Sequence, residues 1–288
     1  MSSARRLDRR QHFPESDFRL RVMRIKSHGA GRMHAHDFHE LVLVLGGSAR
    51  HMTTQGSYAI SAGDVFLLRG NMAHGYRDPH RLMIVNILFD PDNLNLPVED
   101  LRQLPGYHAL FSIEPVMRSR NRFRGRLRLA TDQLARASQL ATMLDNELKE
   151  RPKGYRFLAR AHLMHLIGFL SRCYSNFETA EHRSLLALGE VLSYIERHYP
   201  ERITTERLAE MASMSESSLN RAFHKVTGRS PIAYVLDVRV AKATRLLRDS
   251  DLSVTEVAYR CGFNDSNYFS RQFRKAMGTS PRKYRRKN

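Results

Sequence analysis

Apolar residues between positions 18 and 89 come in short runs, at 18–25, 40–45, 49–54, 57–60, 65–68 and 82–89. Turn-forming pairs separate them: Gly46-Gly47, Gln55-Gly56, Ala62-Gly63 and Asp78-Pro79. Many short strands at this spacing predict a sandwich or barrel. The pattern changes from Thr131 onward. Leu134, Ala137, Ala141, Leu144 and Leu148 step by three and four, which predicts an amphipathic helix. A second helix is expected from about Tyr155 to Tyr174, with Leu158, Leu166, Phe169 and Leu170 on its apolar side. Polar residues at 176–184 then mark a linker.

The C-terminal third repeats itself. Phe, Lys, Gly, Ser, Pro and Tyr at 223, 225, 228, 230, 231 and 234 recur fifty residues later at 273, 275, 278, 280, 281 and 284. Self-similarity at one offset marks a duplicated unit. In the second copy, Ser253 and Glu256 form a capping box, and Val254, Val257, Ala258 and Cys261 supply a helical stripe. Gly262 turns the chain, and Asn264 or Asp265 caps the next helix. That helix places Phe269 and Phe273 on one face and Asn267, Ser270 and Arg271 on another. An amide, a hydroxyl and a guanidinium on the face opposite the core are what base edges require.

The first copy has the same plan. Leu208, Ala209, Met211 and Ala212 form the supporting helix, and Ser213 stands near the place of Gly262. Leu219, Ala222 and Phe223 face inward, while Ser217, Asn220 and Arg221 face outward. Ser230 and Pro231 start a helix running to Asp249. Such a helix is a stiff spacer, fit to hold two recognition helices about one DNA turn, or roughly 34 Å, apart. Helix pairs with glycine turns also occur in proteins that never touch DNA. Two copies, each with an outward arginine, favour DNA.

Residues 190–286 resemble the paired helix-turn-helix domain of the AraC/XylS family of bacterial transcription regulators, most closely over 253–275. The resemblance implies major-groove roles for Ser217, Asn220, Arg221, Ser266, Asn267, Ser270 and Arg271. Lys225, Arg274 and Lys275 are expected at phosphates, which position without specifying. It also implies double-stranded promoter DNA as partner, RNA polymerase as a second, and a homodimer paired through the helices at 113–175, which equally fit a role as a cap on the barrel.

A further pattern lies on the strand region. His34, His36 and Glu40, followed by His74, resemble the two cupin motifs, in which such residues converge inside a small β-barrel. Arg69 and Asn71 stand where the motif has Pro and Gly, and Asp78 where it ends in Asn. Three imidazoles and a carboxylate fit a divalent metal such as Zn²⁺, Ni²⁺, Mn²⁺ or Fe²⁺. They equally fit the polar lining of an effector pocket that hydrogen-bonds sugar hydroxyls, or a solvated loop. No cofactor is assigned. His39 alternates to the other side of the strand. Residues 36–41, 62–66 and 104–111 resemble the L-rhamnose-responsive members of the family, implying a sugar effector.

The expected fold is therefore α+β with two domains: a cupin-like β-barrel followed by helices, then an all-α paired helix-turn-helix domain. The boundaries are a basic arm at 1–17, a sensor at 18–112, connecting helices at 113–175, the linker, and a DNA-binding domain at 185–288. The two units of that last domain are 204–226 and 253–277, joined by 230–249.

Charge adds a weaker constraint. The chain has 288 residues and a net charge of +18. Residues 184–288 carry 19 Lys and Arg against 11 Asp and Glu, so +8 lies there and +10 elsewhere. A polyanionic partner follows, without a location for it. Arg118, Arg120, Arg122, Arg124, Arg126 and Arg128 alternate, which favours a solvated surface over an anion contact. No apolar run approaches the roughly 18 residues of a membrane span. Arg5, Arg6, Arg9 and Arg10 have no apolar stretch behind them, so no secretory signal is expected. Cys173 and Cys261 read as free, buried thiols, consistent with a cytoplasmic protein. A sugar-responsive activator, and not an enzyme, is the resulting expectation. The rivals are a metal-dependent cupin enzyme or a metal sensor fused to a DNA-binding domain.

Overall fold

The structure, a computed structural model, describes residues 5–27, 29, 33–54, 56–69, 71–119, 127–176 and 180–286. Gln55 and the arginines at 120–126 lie outside the described residues. The chain forms two compact units, Met1–Gly189 and Glu190–Asn288.

The first unit is built on one sheet of eight strands: β1 (Arg5–Arg6), β2 (Leu20–Ile25), β3 (His34–Ala35), β4 (His39–Thr53), β5 (Gly56–Ser61), β6 (Asp64–Leu68), β7 (His74–Phe89) and β8 (Leu127–Arg128). Hydrogen bonding follows the order β1-β3-β7-β4-β6-β8, with β2 also on β7 and β5 also on β4. Among the described residues only the β1–β3 pairing is parallel. Among the described residues the ends of this path do not pair, so the expected barrel is an unclosed sheet.

Two expected turns are absent. Gly46-Gly47 lies inside β4 and Asp78-Pro79 inside β7, because the two long strands pair continuously through register shifts at 44–50. Gly47 takes φ 71, and a Cβ there would lie 2.2 Å from the Arg81 carbonyl oxygen. Asp78 and Arg81, on the opposing strand, take φ 50 and 47. The left-handed residues make bulges, which bend a strand pair without ending it.

Leu41, Val42, Leu43 and Val44 are all fully buried, since both faces of β4 are covered. Val42 and Val44 join Phe66, Leu68, Tyr76 and Ile84 in one core. Short helices α1 (Arg9–His12), α2 (Pro91–Leu94), α3 (Pro105–His108) and α4 (Glu114–Ser119) precede two long ones, α5 (Thr131–Glu150) and α6 (Tyr155–Ser175). α5 packs on β2, β4 and α6. Arg24 on β2 donates to Asp145 of α5 at 3.2 Å, tying helix to sheet. The buried face of α6 carries Leu163, Leu166, Ile167, Leu170 and Tyr174. Leu158, expected inside, is exposed beside Phe157.

α7 (Ala180–His198) occupies part of the expected linker and continues into the second unit. The second unit holds α8 (Thr205–Met211), α9 (Glu216–Thr227), α10 (Pro231–Asp249), α11 (Val254–Arg260), α12 (Ser266–Met277) and α13 (Pro281–Arg285). Phe223 meets Tyr234 edge-on at 5.5 Å and 75°, and Phe273 meets Tyr284 at the same distance and angle. The duplication is thus a duplication of packing. Cys173 and Cys261 are free and buried, and burial pushes the Cys261 thiol up to about 11, against a smaller opposing effect of Arg239.

Candidate functional sites: a helix-turn-helix pair and a buried histidine–glutamate cluster

Each unit of the repeat is set by its caps and its turn. The Thr204 side chain accepts from Arg207 N at the start of α8, and Ser253 accepts from Glu256 N at the start of α11. The turns share one hydrogen-bond pattern. Ser213 N donates to Glu210 O and Met214 N to Ala209 O; Gly262 N donates to Tyr259 O and Phe263 N to Ala258 O. These correspondences run at an offset of forty-nine, whereas α9 and α12 correspond at fifty. Asn264 is the extra residue, and Asp265 caps α12 through Asn267 N and Tyr268 N, as Ser215 caps α9.

Leu219, Phe223, Phe269 and Phe273 are fully buried. The opposite face of each helix carries the expected polar residues. Ser217, Arg221, Asn267, Arg271, Arg274 and Lys275 are exposed; Asn220, Lys225, Ser266 and Ser270 are half-buried. Asn267, Ser270, Arg271, Arg274 and Lys275 line a concavity of about 630 Å³. The Arg271 guanidinium lies 5.8 Å from the centre of the Tyr268 ring. Asn220 Nδ2 donates to Glu216 O at 2.9 Å, and Arg221 donates to Ser218 Oγ at 3.2 Å. The first helix therefore holds its polar groups in local bonds, and the second presents a more open basic face.

The histidine cluster is assembled by strand pairing. His34 on β3 sits opposite His74 at the start of β7, and Glu40, next to the first residue of β4, sits opposite Leu68. His36 lies in the bend between β3 and β4, stacked on Phe38 with ring centres 4.2 Å apart. His36 Nε2 donates to Glu40 Oε2 at 2.9 Å, and His74 Nε2 lies 3.5 Å from the same oxygen. The His34 and His74 rings are 4.3 Å apart. One ligand atom each from His34, Glu40 and His74 lies within 4.8 Å of the other two. His36, Glu40 and His74 are buried, so the solvated-loop reading does not fit them.

Burial pushes the Glu40 carboxyl up. The His36 and His74 rings beside it more than reverse that and hold it below the ordinary carboxylate value. His39 faces the other way, against Phe89. Burial, with a smaller effect of Arg69, pushes it down to about 4. Asn71, at the position where the motif has Gly, takes φ 65 and donates its N–H to His36 O. Asn is the commonest substitute for Gly in that conformation, which explains how the departure is tolerated. The sequence reading missed His51. It is buried on β4 with its ring 5.8 Å from His74 and 5.3 Å from Tyr76. The bulges at 44–50 break the alternation that would have placed it.

Residues 24–167 match an AraC-like ligand binding domain, and residues 208–287 match a helix-turn-helix domain. The chain is 30% identical to the HTH-type transcriptional activator RhaS of Escherichia fergusonii, over 95% of this chain and 94% of that protein. The chain belongs to the AraC family of transcription regulators. It is 32% identical to RhaS of Enterobacter sp. (strain 638) over 88% of this chain and 86% of that one. It is 30% identical to the HTH-type transcriptional activator RhaR of the same strain, over 88% and 87%. Family membership places the chain among DNA-binding regulators with a ligand-binding domain, and not among enzymes. Among the described residues, no helix is long and apolar enough to cross a membrane.

Proposed function

We propose that this AraC-family member is a sugar-responsive activator of transcription. Its two recognition helices enter the major groove of a promoter site. Ser217, Asn220, Arg221, Ser266, Asn267, Ser270 and Arg271 reach base edges, and Lys225, Arg274 and Lys275 reach phosphates. The observation that carries the reading is the duplicated polar face on α9 and α12, each backed by a buried phenylalanine pair or its Leu219–Phe223 equivalent. Near-full-length likeness to proteins named as activators supports the direction of regulation.

L-Rhamnose is the effector we favour. One part of the sequence likeness behind that choice has a packing role. Gly106 N donates to Ser175 Oγ at 3.1 Å, and a Cβ on Gly106 would lie 2.0 Å from Ser171 O. Segment 104–111 thus seats α3 on α6 and speaks for kinship, not for pocket chemistry. The polar interior around His36, Glu40, His51, His74 and Tyr76 is the place for sugar hydroxyls. Two copies of the chain pair through α5 and α6, and the DNA-bound form recruits RNA polymerase. The effector acts by binding the DNA-competent arrangement more tightly than the other.

Thermal unfolding with a panel of monosaccharides tests this. A sugar at a hundred times its Kd adds about 2.7 kcal/mol. A shift with L-rhamnose supports the reading, a shift with another sugar corrects the effector, and no shift with any sugar removes it.

A further inference from the structure

We infer that Glu216, the first residue of α9, selects a cytosine by accepting a hydrogen bond from its N4 amino group, a step that rests on α9 entering the major groove as proposed above. The two recognition helices begin at equivalent places, Glu216 in α9 and Ser266 in α12, fifty residues apart. Ser266 is one of the residues assigned to base edges, so the matching place in α9 faces bases too. There a carboxylate replaces the hydroxyl. The start of α9 is fixed, since Ser215 Oγ accepts from Ser218 N at 3.3 Å. Asn220 follows one turn later on the same face, and its Nδ2 donates to Glu216 O. Asn220 and Arg221 are thus engaged in local bonds. Glu216 is exposed, and its carboxylate has no ion pair or hydrogen bond among the described residues.

Charge separates the two units further. Residues 204–226 carry three Lys or Arg and three Asp or Glu, whereas residues 253–277 carry four and two. His224 stands where α12 has Arg274. α12 is therefore the better phosphate anchor, and α9 gains less from the backbone. A carboxylate brought into the groove is repelled by the phosphates and loses water, which is costly unless a donor meets it. The donors on major-groove base edges are the N4 amino of cytosine and the N6 amino of adenine. Adenine sets the acceptor N7 beside its amino group, which repels the second carboxylate oxygen. Cytosine presents the donor alone, and so is the base a carboxylate fits. A glutamate in a first helical turn also complements the helix dipole, but that role is indifferent to base sequence.

The test enriches sites from a random duplex pool with the full chain, in the presence of the monosaccharide panel. Parent, Glu216→Gln, Glu216→Ala and Arg221→Ala are compared. The half of the parent's site that Arg221→Ala relaxes should hold a preferred C beside the relaxed position. Glu216→Gln should turn that C into A, because an amide pairs with N6 and N7 of adenine. Glu216→Ala should lose the preference at that position and keep the others. On the parent's site Glu216→Ala should bind roughly 10-fold more weakly. It should bind a scrambled duplex more tightly, since a negative charge has left the groove. A helix-dipole role alone would lower the melting temperature and move neither the preference nor these opposed affinities. If Arg221→Ala relaxes the site while both Glu216 variants enrich the parent's sequence, this inference falls and the groove reading of α9 stands. If none of the three variants changes the site, or the parent enriches none, both fall.

Discussion

Ser213 and Gly262 hold the same left-handed turn in the two helix-turn-helix units, at φ 52 and 83. Their N–H groups make the same bond to the carbonyl three residues back. Only one of them is the residue the turn prefers. A side chain in this region costs about 1–2 kcal/mol. Ser213→Gly should therefore stabilise the second unit, by up to about 1 kcal/mol after the added freedom of the unfolded chain. Gly262→Ala should do the reverse and by more, since its Cβ would also lie 2.5 Å from Pro200 O. A loss of about 1–3 kcal/mol is expected. Urea midpoints for the two variants check both signs, and equal effects would show that the turns are not equivalent.

The same reasoning reaches the sheet. Gly47→Ala puts a methyl group 2.2 Å from Arg81 O on the paired strand, at φ 71. Backbone cannot yield there as a flexible side chain can. The Gly47 substitution should cost several kcal/mol and leave little folded protein, on the order of the larger single-site losses. Gly46→Ala meets only the end of Met83, at 2.3 Å from Cε, and should be milder. Comparing soluble yield and melting temperature of the two variants tests the bulge. Equal tolerance would mean that β4 and β7 are not paired through this region.

How much of this was legible in the sequence depends on which residues set the geometry. The repeat was readable because each unit is local. Ser253, Glu256, Gly262, Phe269 and Phe273 make their turn, cap and core within two adjacent helices. Its finer register was not, because Asn264 adds one residue between turn and helix and divides the offset into forty-nine and fifty. In the sheet, Gly46-Gly47 and Asp78-Pro79 favour left-handed or bent backbone equally in a turn and in a bulge. Pairing between distant strands decides which, and one sequence does not reveal that pairing. The cluster at His34, His36, Glu40 and His74 was found through its motif spacing. His51 was lost because it lies just past the bulges.

His108 predicts a pH dependence of stability. It is buried, and its Nε2 donates to Arg102 O at 2.7 Å. Burial, with the nearby Arg102 charge, pushes its pKa from 6.5 down to about 4, against a smaller opposing effect of that hydrogen bond. Between these values the unfolded chain binds more protons than the folded one. Stability therefore falls as pH is lowered through this window, at up to about 1.4 kcal/mol per pH unit. Above pH 6.5 His108 adds no slope. His39 has the same direction, so His108→Gln should remove part of the slope and not all of it. Denaturant midpoints at pH 5 and pH 7.5 give the difference. A variant whose midpoint changes with pH as the parent's does would rule out His108 as a source.

Arg271 and Lys275 separate base reading from phosphate anchoring on one helix. Both are exposed and both line the concavity along α12. A guanidinium can bond two acceptors on a guanine edge, whereas an ammonium at the backbone is a point charge. Against a duplex enriched from a random pool, Arg271→Ala should weaken binding by about 1–3 kcal/mol and relax preference at one base position. Lys275→Ala should weaken cognate and scrambled duplexes alike and reduce the salt slope by about 1. Arg271→Lys distinguishes charge from shape: it keeps the positive charge but should not recover the lost base preference. Fluorescence anisotropy at several salt concentrations measures all three. If Arg271→Ala lowers cognate and scrambled binding equally, Arg271 anchors phosphate and the reading face of α12 must be assigned to Asn267 and Ser270 instead.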